Sequence, residues 1–221
     1  GIANLDKVMK ASIPLLAYLE KYASEGNGLT ESTMKGRKFM RRKVEEYQRS
    51  TGRLNIAMLE VDLDFCRGFI NFLRTAKNRR LKSEERTISN CTGLQTQAVF
   101  TAALNTALRD GIIERNPMTL LTSKERFHQQ ESTRVYLTID ELKRMMATPC
   151  DDGELKKAFL FACFTGLRLS DIRTFTWNKV LTTPNDSARY IRVRMLKTQQ
   201  VVNVPLSKDA LGYLRETEDG D

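Results

Sequence analysis

The spacing of apolar residues changes once along this chain, and that change limits the fold more than any other feature. Through the first half, apolar positions recur every three to four residues, the period of an α-helix. Leu15, Leu16, Leu19 and Tyr22 mark a first helix over 13–23, closed by the stretch Ser24 to Gly28. A second is expected over 31–49, with Phe39 and Val44 among its few apolar positions. Asp62 is a helix-starting residue ahead of Phe65, Phe69, Phe72 and Leu73. A fourth helix is expected over 88–110, burying Leu94, Ala98, Thr101, Ala102, Leu104 and Leu108. Four amphipathic helices on short connections make a small bundle. Late in the chain the period falls to two. Tyr190 to Met195 and Val202 to Val204 alternate as strands around a loop, Leu196 to Gln200. The expected fold is mainly α with a small β-hairpin or sheet.

Between the two patterns lies 121–134, polar and without periodicity. This divides the chain into a helical domain over 1–120, a linker over 121–134 and a second domain over 135–221. Thr138 and Glu141 have capping-box spacing and open a short helix through Leu142, Met145 and Met146, which Pro149 ends. At 221 residues there is enough chain for two small cores.

Charge separates the halves as well. Residues 1–130 hold 22 Lys and Arg against 14 Asp and Glu, a net +8, whereas 131–221 are nearly balanced at 14 against 13. A basic excess confined to one half points to a polyanionic partner, nucleic acid first and an anionic membrane second. No apolar run approaches the roughly 18 residues of a spanning helix, and no leader pattern is visible. Cys66, Cys91, Cys150 and Cys163 are widely spaced among apolar or helical neighbours, as expected of reduced and mostly buried thiols in a cytoplasm. With one histidine, His128, and no Cys-x-x-Cys pair, no metal site and no cofactor are expected.

The basic excess peaks on the second helix, where Lys35, Arg37, Lys38, Arg41, Arg42 and Lys43 put six cations into nine residues with no acid among them. Such a run repels itself unless an anion relieves it, and DNA phosphate is the natural candidate. On the fourth helix Thr92, Gln95, Thr96 and Gln97 offer polar groups to phosphates and base edges. Lys77, Arg79 and Arg80 in the connector, and Arg134 in the linker, are further phosphate candidates.

The second domain carries one arginine in an unusual place. In the run Thr165-Gly166-Leu167-Arg168-Leu169-Ser170-Asp171-Ile172-Arg173, a helix ends at Gly166 and another starts at Ser170, an expected N-cap. Arg168 is thus presented from a rigid corner, and Lys197 stands at the tip of the expected hairpin. Two cations on rigid elements suit a phosphate whose charge grows during reaction. Asp171 is placed to orient Arg168 or its turn.

The wording of these segments resembles the tyrosine recombinases, or phage integrases, and within them the integrases of conjugative transposons and related Bacteroides-type mobile elements. The resemblance rests on Thr-Gly-Leu-Arg-x-Ser-Asp-Ile, on Trp177, and on Lys197-Thr198 ahead of Val202-Asn203-Val204-Pro205-Leu206. It extends to Ile112-Ile113-Glu114-Arg115-Asn116-Pro117 and to Tyr136-Leu137-Thr138-Ile139-Asp140-Glu141-Leu142. It implies a four-helix SAM-like core-binding domain, whose second and fourth helices clamp duplex DNA, followed by the N-terminal half of an α+β catalytic domain. It also implies metal-free strand cleavage through a 3′-phosphotyrosyl intermediate, with Arg168 on the phosphate oxygens and Lys197 giving the leaving 5′-oxygen its proton. Implied too are double-stranded DNA as partner, a homo-tetramer on DNA for a full-length protein, and a bacterial cytoplasmic, nucleoid-associated location.

The family's His-x-x-Arg box does not occur in these 221 residues, and none of the six tyrosines follows one. Tyr213 sits beside Leu211 and Leu214 in a packing position. The expectation is a fragment that stops before the nucleophile, binds DNA and forms no covalent adduct. Two other readings stay open: a non-enzymatic DNA-binding accessory protein of a mobile element, and an unrelated basic helical interaction module.

Overall fold

A computed structural model describes residues 12–26, 28–78, 87–131, 135–184 and 188–214. Contacts divide the chain into two compact units, Gly1–Thr133 and Arg134–Asp221.

The first unit holds α1 (Leu15–Ser24), α2 (Glu31–Thr51), α3 (Leu63–Thr75) and α4 (Asn90–Arg109). Each of the last three starts where a short polar side chain satisfies a free N–H. Thr30 Oγ1 accepts from Thr33 N, Asp62 Oδ1 from Phe65 N, and Ser89 Oγ from Thr92 N. The core is built on Leu15, Leu19, Met40, Val44, Phe65, Phe69, Leu73 and Phe100, all fully buried. Tyr47 meets Phe65 edge-on at 5.1 Å, and Phe69 meets Phe100 at the same distance. Edge-to-face pairs of this kind add about 0.5–1.5 kcal/mol beyond the area they bury. Tyr18 crosses the bundle to donate to Ala103 O at 3.0 Å, and burial raises its phenol to about 12.

The buried face of α4 differs from the sequence expectation. Gly93, Thr96, Phe100, Ala103, Leu104 and Ala107 are buried, whereas Ala98, Ala102 and Leu108 are exposed. Phe100 anchors the true face, and two weakly apolar residues on it, Gly93 and Thr96, hid its period. Past α4, Asn116 caps a 3-10 turn (Pro117–Leu120), accepting from Met118 N and donating to Thr101 O and Asn105 Oδ1. The polar run from 121 still belongs to this core, because Leu121 and Phe127 are buried in it. Phe127 packs over Gly93, its N–H donates to Gln97 Oε1 at 2.8 Å, and Arg74 lies over its ring. Arg67 pairs with Glu125, and Asn90 donates to His128 O. The segment is a strap across α3 and α4.

The second unit holds α5 (Ile139–Ala147), α6 (Gly153–Thr165), α7 (Leu169–Arg173), β1 (Val180–Thr182), β2 (Arg189–Arg194), β3 (Val201–Pro205) and α8 (Lys208–Gly212). The Thr138–Glu141 capping box forms as expected, and the two hydrogen bonds from Thr138 hold the Glu141 carboxyl below its usual range. The strands pair antiparallel in the order β1-β2-β3, with Ile191 opposite Val204 and Val193 opposite Val202. At three residues, β1 is too short to show an alternation in the sequence. Ile191 and Val193 turn inward with Phe161, Leu167 and Ala210, and Tyr213 stacks on Phe164 at 5.8 Å.

The thiols correct an expectation: Cys66 is buried, with its pKa raised by burial to about 12, whereas Cys91, Cys150 and Cys163 are exposed. Cys91 and Cys163 occupy outward positions on helices whose other faces are buried. Among the described residues no helix is long and apolar enough to cross a membrane.

Candidate nucleic-acid interface

The six cations of α2 fall into two groups. Arg37 donates through Nη1 to Tyr22 O at 2.7 Å and Glu25 O at 2.8 Å, and lies 3.9 Å over the Tyr22 ring. It therefore closes the C-terminal end of α1. Arg41 pairs with Glu20 at 2.8 Å and Glu45 at 2.7 Å. Lys43 is 2% exposed, with Nζ on Glu46 Oε2 at 2.8 Å and Lys77 O at 3.0 Å. These three have their charge met inside the protein. Lys35, Lys38 and Arg42 point outward. Lys35 makes one exposed pair with Glu31, and such pairs are weak enough to exchange for phosphate. Among the described residues Lys38 and Arg42 have no carboxylate partner.

A cleft of about 590 Å³ separates α2 from α4, lined by Lys35, Phe39, Arg42 and Lys43 on one wall and by Thr92, Gln95, Ala98 and Val99 on the other, and Lys77 lines it too. Lys43 uses its buried ammonium to hold the chain at Lys77. The structure thus brings Lys35, Arg42, Lys77, Thr92 and Gln95 together. The polar candidates on α4 are not equivalent. Thr92 shares a hydrogen bond with Ser89, Thr96 is buried and donates to Thr92 O, and Gln97 is committed to Phe127 N. Gln95 is exposed. Arg79, Arg80 and Arg134 lie outside the described residues.

In the second unit, α6 ends at Gly166, whose left-handed conformation (φ 66°, ψ 10°) lets its N–H close on Ala162 O. Two residues later the chain is extended, and Arg168 itself is the N-cap of α7 (φ −74°, ψ 153°). The expected Ser170 cap is corrected: Asp171 N and Ile172 N already bond to Arg168 O, so Ser170 lies inside the helix. The Arg168 side chain is exposed. Asp171, 1% exposed, accepts from Leu196 N at 2.8 Å. Leu196 precedes Lys197 in the β2–β3 turn, which Met195 N–Gln200 O and Gln199 N–Met195 O close, with Gln199 at φ 58°. One carboxylate therefore ties the helix that begins at Arg168 to the turn that carries Lys197. The sequence offered no signal for this bond, which spans 25 residues. Among the described residues no cluster of His, Cys, Asp and Glu could hold a metal ion.

Residues 14–127 match the family description "Phage integrase SAM-like domain", and residues 135–221 match "Phage integrase family". The chain belongs to the phage integrases. No curated protein matches it in sequence. Among solved structures, a lambda integrase dimer bound to a COC' core site is similar with TM-score 0.67 and 16% identity, over 93% of this chain and 52% of that one. A lambda integrase tetramer bound to a Holliday junction is similar with TM-score 0.67 and 19% identity, over 90% and 53%. The Tn1549 transposon integrase in complex with transposon right end DNA is similar with TM-score 0.65 and 18% identity, over 90% and 63%. At these identities the likeness is one of fold. This integrase chain spans between 52% and 63% of the length of those chains.

Proposed function

We propose that the chain acts in site-specific recombination of a mobile DNA element, as part of a tyrosine recombinase working on duplex DNA. The reading is carried by the Asp171–Leu196 bond, which fixes the Arg168 corner and the Lys197 turn to one another. Two cations so held suit one phosphodiester. The Arg168 guanidinium matches two non-bridging oxygens and opposes the charge that develops on them. Lys197 is a compact proton donor for the departing 5′-oxygen. The helical unit grips the duplex through Lys35, Lys38, Arg42 and Lys77, with Thr92 and Gln95 at the base edges and Arg79 and Arg80 as further phosphate contacts; Arg134, at the start of the second unit, is another. In this proposal a tyrosine from outside these 221 residues attacks the phosphate to give a 3′-phosphotyrosyl intermediate, and four protomers assemble on DNA. The 221 residues themselves bind DNA without forming an adduct, because no tyrosine follows a His-x-x-Arg box.

Fluorescence anisotropy of labelled duplex DNA across a salt series tests the grip. Each phosphate contact contributes a slope of about −0.9 in log K against log salt. Neutralising Lys35, Lys38 and Arg42 to glutamine should flatten the slope by about three. No binding at low salt would overturn the reading. Similar lambda and Tn1549 structures hold DNA.

A further inference from the structure

The outward residues of α4 fall at 91, 95, 98, 102 and 105, and of these Gln95 and Ala98 line the cleft. Steps of four and three keep them on one helical face. Ala98 and Ala102 leave the middle of this face without bulk, so the helix axis can come close to a partner surface. Asn105 is occupied by the amide of Asn116. Cys91 offers a weak donor at best. Gln95 is the remaining polar group, exposed and, among the described residues, without a hydrogen-bond partner for its carboxamide. Across the cleft stand Lys35 and Arg42. The arrangement is a helix with close-approach residues and one uncommitted amide, flanked by cations at phosphate-contact positions.

Resting on the DNA-binding reading above, we infer that Gln95 is the residue of the helical unit that sets sequence preference, by reading an adenine in the major groove. A carboxamide presents one acceptor and one donor side by side. They match adenine N6–H and N7, the pair that no other base shows at that groove edge. Gln97, of identical chemistry, is excluded because Phe127 N already takes its oxygen. Lys35 and Arg42 position the helix through phosphates and carry no sequence information themselves.

The test is selection of duplexes from a randomised pool by the 221-residue chain and by its Gln95→Ala and Gln95→Glu variants, followed by anisotropy on the selected duplexes. Gln95 is exposed and lies inside a helix, so both variants should fold; far-UV circular dichroism checks this. The wild type is expected to select adenine at one position, and replacing that base by 7-deazaadenine should weaken binding about 5- to 150-fold. Gln95→Ala should lose the preference at that position alone, be indifferent to 7-deazaadenine and keep the wild-type salt slope. Gln95→Glu should shift the preference to cytosine, whose N4–H can donate to a carboxylate. The inference falls if Gln95→Ala selects the same sequences as wild type, or if it weakens all duplexes equally. Binding by the wild type with no base preference would overturn this inference and leave the DNA-binding reading intact. Absence of any binding would overturn both.

Discussion

Replacing Gly93 by alanine sets two effects of similar size against each other. Gly93 lies in the first turns of α4, where alanine is the better helix former by about 0.8–1.0 kcal/mol. The added Cβ would stand 2.5 Å and 2.6 Å from Phe127 Cε1 and Cζ. Carbon contacts favour about 3.5–4.0 Å, so the ring must retreat by about 1 Å. It has little room to do so. Phe127 N is bonded to Gln97 Oε1 at 2.8 Å, and Arg74 lies 4.9 Å over the ring. Overpacking of this kind costs about 1–3 kcal/mol, so Gly93→Ala should lose about 1 kcal/mol net. In a Phe127→Ala background, itself costing about 3 kcal/mol, the clash is gone and the same substitution should stabilise by about 1 kcal/mol. Urea unfolding of the four proteins, followed by far-UV circular dichroism, measures the cycle. A wild-type background in which Gly93→Ala stabilises, or a cycle with no coupling, would refute the strap's fixed docking on α4.

Other consequences follow from the same geometry. Arg37→Gln should lower the unfolding midpoint and leave the salt slope of DNA binding unchanged, whereas Lys38→Gln should flatten the slope by about one and leave stability alone; equal behaviour of the two would contradict the division of the α2 cations. Asp171→Ala should release the Leu196 amide at a cost of about 2 kcal/mol to its surroundings, and hydrogen exchange at that amide should quicken accordingly; unchanged exchange would deny the tie between the corner and the turn. Glu125, held at about 2 by the hydrogen bonds from Thr122 and by Arg67, is depressed relative to an unfolded glutamate. Its contribution is present above about pH 4.3 and is lost as pH falls toward 2, because the unfolded chain then binds the extra proton. An acid titration of stability should therefore be shallower over that window in Glu125→Gln than in wild type.

Local signals carried α3, where Asp62 caps and the phenylalanines repeat at helical spacing, and they carried the Thr138–Glu141 box and the β2–β3 hairpin. Elements whose identity depends on a distant neighbour were not legible. The N-terminal end of the buried α4 face is covered by Phe127 closing on Gly93, a glycine that counts as nothing in a hydrophobic pattern. The strap from 121 reads as linker because two apolar residues stand alone among polar ones, yet both are buried. In the candidate site, Arg168 and Lys197 could be singled out as turn cations. That Asp171 would reach Leu196 could not. The α2 run looked unbalanced because its acids stand outside it: Glu20 on the preceding helix, and Glu45 and Glu46 just beyond the last cation.

In the proposed function the helical unit contacts DNA through α2 and α4, and the second unit contacts DNA through Arg168 and Lys197. Ethylation interference on a selected duplex reads both sets of contacts, since each ethylated phosphate reports its own. Two groups of sensitive phosphates are expected. One should vanish with Lys35, Lys38 and Arg42 changed to glutamine, the other with Arg168→Ala or Lys197→Ala. A single group that ignores Arg168 and Lys197 would contradict it.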